Sequence, residues 1–186
     1  MYNIEEKIKL IKEEIIKSQG KNPILIAKEM MNHDFVNIHG PEHHFLDGAS
    51  FLMAYKNSGG DIDITKALQI LEKRSLMMPG AMCGFWGICG SVSSMGAVLS
   101  IIHETGPLSD DDNYSLHMKY TSSVIEKMSL IGGPRCCKRN AFLSLTYGVR
   151  FVKEYYGINL EIEDVKCEFS KKNQDCILDG CPFHNK

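Results

Sequence analysis

The stretch NIEEKIKLIKEEIIKS (residues 3–18) sets Ile4, Ile8, Ile11, Ile15 and Ile16 at helical spacing, with Glu and Lys filling the intervals. That is the period of a helix buried along one stripe and solvated along the other. Gly20 stops it, and Pro23 opens a second, short helix carrying Ile24, Leu25, Ala27 and Met30. The pattern recurs outward along the chain. Pro41 opens a third helix through Leu46, Ala49, Leu52 and Met53, ending near Gly59 and Gly60. Asp63 reads as the N-cap of a fourth, with Ala67, Leu68, Ile70 and Leu71 facing inward. Pro79-Gly80 breaks the chain, and Ser91 reads as the cap of a buried helix to about Thr105. After a loop through Gly106-Pro107 and Asp110–Asp112, a helix is expected over Asn113–Leu130. Pro134 then starts the last long helix, through Phe142, Leu145, Val149 and Phe151, which stops at Gly157. Beyond it Ile158, Leu160, Ile162 and Val165 lie in a β-like stretch, and residues 173–186 read as loop. The expected fold is mainly α: a single compact helical domain over 1–157, with a small C-terminal β or irregular Cys-rich cap over 158–186 packed on it.

Composition narrows the function classes. The 186 residues carry 21 Lys and Arg against 23 Asp and Glu, so no domain-wide basic field supports binding to nucleic acid or an anionic membrane. No run of about 20 apolar residues is present to span a bilayer, and charges interrupt every apolar stretch near the start, against a signal peptide. A cytoplasmic protein is expected. The cytosol keeps thiols reduced, so the seven cysteines point to metal binding or catalysis rather than to disulfides.

Three segments share one design, a Gly/Pro turn, then soft or basic side chains, then a helix: HGPEHHFLDGA (39–49), PGAMCGFWGICGS (79–91) and GGPRCCKRN (132–140). Helix N-termini favour negative charge through unpaired N–H groups and the dipole. With Pro134 first in its helix, Cys136 and Cys137 fall in the opening turn among Arg135, Lys138 and Arg139, and at least one thiol should ionise below about 8.5. The bland alternative is a solvated basic helix start with two incidental cysteines. His43 and His44 near a helix start are expected neutral, the form that binds metal or accepts a proton. Asp47, four residues beyond His43, shares its face and orients or merely braces it. Cys83 and Cys89 flank a glycine-rich turn able to fold both sulfurs inward, or else to form a small-residue packing seam. Trp86, the single tryptophan, would be core or pocket wall.

The tail reads Cys167-x8-Cys176-x4-Cys181-Pro182. Three cysteines in a polar tail suit a metal or cluster. The spacing matches no standard ferredoxin or zinc-ribbon pattern, and a zinc site could add His184 or His44 to the three sulfurs.

Together the blocks HGPEHHFLDG, CGFWGICG, GPRCCKRN and CEFSKKNQDCILDGCPF resemble a domain-of-unknown-function family, from about residue 35 to the end, the double-cysteine block being the most specific. The resemblance implies an anaerobic, reducing setting in bacteria and methanogenic archaea, and a methyltransferase or radical-SAM-type partner domain. It implies no particular reaction.

The leading expectation is an iron–sulfur cluster, [4Fe–4S] first, or a soft metal on Cys167, Cys176 and Cys181, with a fourth sulfur from Cys136 or Cys137. Cys136, Cys137, His43 and Arg135 are the candidate catalytic groups. Cys83, Cys89, Lys138 and Arg139 would bind the cofactor or a small anionic or sulfur-containing substrate. The alternatives are a zinc-stabilised binding module and a thiol–disulfide oxidoreductase, against which the absence of C-x-x-C counts. The first two helices could also serve a homodimer.

Overall fold

The computed structural model describes residues 2–185. Its centre is a helix buried on all sides, α3 (His43–Asn57), in which every residue from His43 to Tyr55 is buried. Around it stand α1 (Ile4–Ile15), α2 (Pro23–Met31), α4 (Ile64–Leu76), α6 (Gly90–Ile102) and α8 (Cys137–Tyr156). The long α7 (Asp112–Ile131) packs on α6 and α8. A single turn, α5 (Met82–Phe85), precedes α6.

Local chemistry explains these elements. Asn3 and Glu6 form a reciprocal capping box at the start of α1, and Ile8, Ile11 and Ile15 are buried as their spacing requires. Each such side chain contributes roughly 1.5–3 kcal/mol by leaving water. Asn22 caps α2 ahead of Pro23, Asp63 caps α4 and Asp111 caps α7. The closest crossing is α3 on α6. A Cβ at Gly48 would lie 2.5 Å from Ser94 Oγ and 2.9 Å from a Val98 methyl, so only glycine admits this approach.

Three helix starts differ from expectation. Pro41 lies outside α3, which begins at His43 with Glu42 as its N-cap. Pro134 lies outside α8, whose N-cap is Cys136, with Arg139 N–H donating to the Cys136 sulfur at 3.4 Å. Ser91 lies inside α6, which is capped by Cys89. In α6 and α8 a cysteine takes the position usually held by Ser, Thr, Asp or Asn.

The β-like reading of 158–165 is also corrected, since no strand forms among the described residues. Ile158, Leu160 and Val165 pack against the helical core instead, and with no neighbouring strand their backbone has no ladder to join. The tail is irregular, with one-turn helices at Ser170–Lys172 and Leu178–Gly180 and one isolated bridge between Cys167 and His184. Phe169 is buried and Phe183 meets Phe142 edge-on, which seats the tail against α8. Among the described residues no helix is long and apolar enough to cross a membrane.

Candidate functional site

The starts of α3, α6 and α8 converge on one cavity of about 230 Å³. It is lined by residues of all three turn-then-helix segments, among them His43, His44, Asp47, Cys83, Cys89, Ser91, Arg135, Cys136 and Cys137. A second cavity, small and apolar, lies on the other side of the α8 start. Cys136, Cys167, Cys176, Cys181 and His184 line it, with Arg139 and Phe169. Cys136 borders both. The adjacent cysteines therefore divide: Cys136 reaches the tail, whereas Cys137 faces only the His/Asp cavity. All seven cysteines are free thiols.

In the tail cavity, Cys136 accepts from Arg139 N–H at 3.4 Å and from the Asn173 side-chain amide at 3.7 Å. Cys167 accepts from Phe169 N–H at 3.4 Å, and the Phe183 N–H favours the Cys181 thiolate in the same way. Burial raises the Cys167 and Cys181 thiols, and the neighbouring sulfurs, Cys136 and Cys176 among them, push the same way. Arg139 opposes this at Cys181.

Lys138, 1% exposed and lining the tail cavity, reaches back behind the other one, with Nζ 2.9 Å from the Asn37 carbonyl and 3.1 Å from His43 Nε2. His43 Nε2 also lies 3.2 Å from the Asn37 carbonyl, while Nδ1 faces Asp47 Oδ1 at 3.5 Å with no hydrogen bond between them. Burial pulls the Lys138 pKa down to about 8, against the opposing pull of Asp47. His44 is kept neutral chiefly by burial, and the Met78 carbonyl favours an N–H on its ring. Its ring lies against Gly90, where a Cβ would come within 2.2 Å.

Several sequence expectations are revised. Burial drives the Cys137 thiol up to about 12, so the helix start does not activate it. Arg139 is not open to an anion, because its guanidinium donates to the Gly132 and Pro134 carbonyls, both at 2.9 Å. Lys138 is likewise turned inward, and of the basic trio only Arg135 is exposed. His44 lines the His/Asp cavity and not the tail site. Trp86 is 63% exposed and belongs to neither core nor cavity wall. Cys83 and Cys89 do turn toward one cavity. Among the described residues, no three His, Cys, Asp or Glu side chains are gathered as a metal-ion site.

Three residues of the site were not singled out from the sequence: His39, Asn140 and Asn173. His39 accepts the Cys137 N–H on Nδ1 at 3.4 Å and bonds Asn173 through Nε2 at 3.0 Å, tying α8 to the tail. Asn140 donates to the Cys89 sulfur at 3.3 Å. His39 heads the HGPEHH block and was legible there; nothing local marks Asn140 or Asn173.

The family of unknown function DUF5714 matches residues 11–184, which takes in every residue of both cavities. The chain belongs to this family. The match begins well before residue 35, so the C-terminal part of α1, residues 11–15, and all of α2 are part of the DUF5714 domain and not an appendage to it. Comparison with curated proteins and with solved structures returns no match.

Proposed function

We propose that this DUF5714 protein holds an iron–sulfur cluster on Cys136, Cys167, Cys176 and Cys181 and serves sulfur, metal or redox chemistry in the cleft beside it. One observation carries the reading: four thiols, distant in sequence, line a single small cavity. The donor set fits. Four cysteines are the usual cluster ligation, and hydrogen bonds to the sulfurs are among the levers that set its potential. Three of these sulfurs have a backbone N–H directed to them. Thiols that burial keeps protonated give up their protons to a cation. When bound, such a cluster supplies electron transfer or an iron open to a sulfur ligand. The protein's own residues close the tail through His39 and Asn173, and Arg135 stands exposed at the adjoining cavity to meet a small anionic substrate.

A second reading, structural zinc, is favoured by His184. It lines the same cavity, and its Nδ1 sits 3.3 Å from Asp179 Oδ1, the carboxylate–histidine arrangement common at zinc.

Anaerobic purification with iron, sulfide and zinc analysis tests both. Iron and sulfide in stoichiometric amount, lost in Cys136→Ser and Cys167→Ser, support the cluster. Stoichiometric zinc without iron supports the second reading. A reconstituted protein lacking all three overturns the proposal.

A further inference from the structure

The His/Asp cavity holds a set of buried polar atoms that the protein itself leaves unsatisfied. Asp47 is 0% exposed and neither carboxylate oxygen has a hydrogen-bond partner. His44 Nδ1 and Ser91 Oγ, on side chains 7% and 4% exposed, are also unpartnered. All three residues line the same space, with the thiols of Cys89 and Cys137 beside them. An isolated buried carboxylate is costly unless a cation or donor meets it. Lys138 does not meet that demand, because its ammonium bonds the Asn37 carbonyl and His43 Nε2 and leaves the Asp47 oxygens without a partner.

We propose that this cavity is a second site, distinct from the tail centre, which binds one divalent transition-metal ion of the zinc class through Asp47, His44, Cys89 and Cys137. The donor types decide the class. Carboxylate, imidazole and thiolate together suit a borderline-soft ion, whereas Ca²⁺ and Mg²⁺ take oxygen ligands.

The surrounding contacts are those that orient ligands. His43 Nδ1 faces Asp47 Oδ1 at 3.5 Å without closing a hydrogen bond, so both Asp47 oxygens stay available. Met78 engages the His44 ring, so that Nδ1 stays bare. Asn140 donates to the Cys89 sulfur, and His39 holds the backbone of Cys137. The donors line the wall without yet closing on one point. Uptake would draw the two cysteine side chains inward. The Cys136-Cys137 dipeptide then supplies one sulfur to each of two centres.

Cobalt(II), added anaerobically to the full chain, is the probe, because thiolate ligation gives it a charge-transfer band. The wild type should bind one equivalent that is lost in Asp47→Asn, Cys89→Ser and Cys137→Ser, displaced by zinc, and retained in Cys136→Ser. The serine variants are nearly isosteric, so they decide the matter even where Asp47→Asn does not fold. Wild-type protein without such an equivalent, or Cys89→Ser and Cys137→Ser variants that keep it, would overturn the assignment. The two sites fail separately. Loss confined to the Cys136→Ser and Cys167→Ser variants upholds the tail centre and removes this one; the reverse pattern does the opposite.

Discussion

Replacing Lys7 by Met probes how the amphipathic first helix is tied to the site-bearing helix. Lys7 Nζ donates to Glu42 Oε1 at 3.0 Å, with the two side chains 9% and 1% exposed, and the same oxygen accepts the Asn37 N–H at 2.8 Å. Burial acts to raise the Glu42 carboxyl, but these donors outweigh it and hold the group below its ordinary value. Removing the ammonium leaves a desolvated carboxylate with only backbone donors, and breaking a buried pair in this way costs about 3–5 kcal/mol. For a domain of this length that is a fall of roughly 6–20 °C in Tm. The Lys7→Met/Glu42→Gln double variant should lose less than the two single variants together, by roughly 1.5 kcal/mol or more, because the unpaired charge is gone while Gln still accepts from Asn37. The sign with pH follows from the depressed carboxyl. Its contribution is present above the unfolded value of about 4.3 and is lost as pH falls through the lower folded value, so the gap between wild type and Lys7→Met closes in acid. Urea unfolding of all four proteins across pH measures this. A Lys7→Met cost under about 1 kcal/mol at pH 7, or a gap that does not change with pH, would refute the reasoning.

Further outcomes follow from other parts of the fold. Burial, aided by the neighbouring His103 and opposed by Asp111, pulls the His117 pKa from 6.5 down to about 4. The unfolded chain therefore binds more protons between those values, and stability should fall by up to about 3 kcal/mol as pH drops from 7 to 4. His117→Phe should remove that part of the acid sensitivity, and pH profiles of unfolding free energy that run parallel for the two proteins would contradict it. Gly90→Ala pushes a methyl into the His44 ring, 2.2 Å away, and should cost about 1–3 kcal/mol by overpacking, read from the urea midpoint; an unchanged midpoint would show that the ring yields freely. Trp86, the only tryptophan, should emit as a solvated indole and be quenched readily by acrylamide, and a blue, protected emission would place the 82–90 turn elsewhere.

Much of the site was visible in single stretches of chain. His43, Asp47, Cys83 and Cys89 were singled out by turn-then-helix patterns, and those patterns do meet at one cavity. What could not be read was direction and burial. The charge of GPRCCKRN suggested an exposed, thiolate-favouring turn, yet Lys138 and Arg139 are spent on carbonyls and on His43. Cys137 sits deep enough that desolvation exceeds the field of the helix start.

The helices themselves follow from the sequence alone, because periodicity, caps and proline or glycine stops act within a few residues of one another. The proposal of metal or thiol chemistry starts there too, because it rests on side-chain type. The tertiary structure alone decides that Cys136 and Cys137 part company, that His39 and Asn173 join across the fold, and that Asp47 is left without a partner. Each of these depends on which helix ends pack together and on how much water they exclude, quantities that no local stretch of chain encodes.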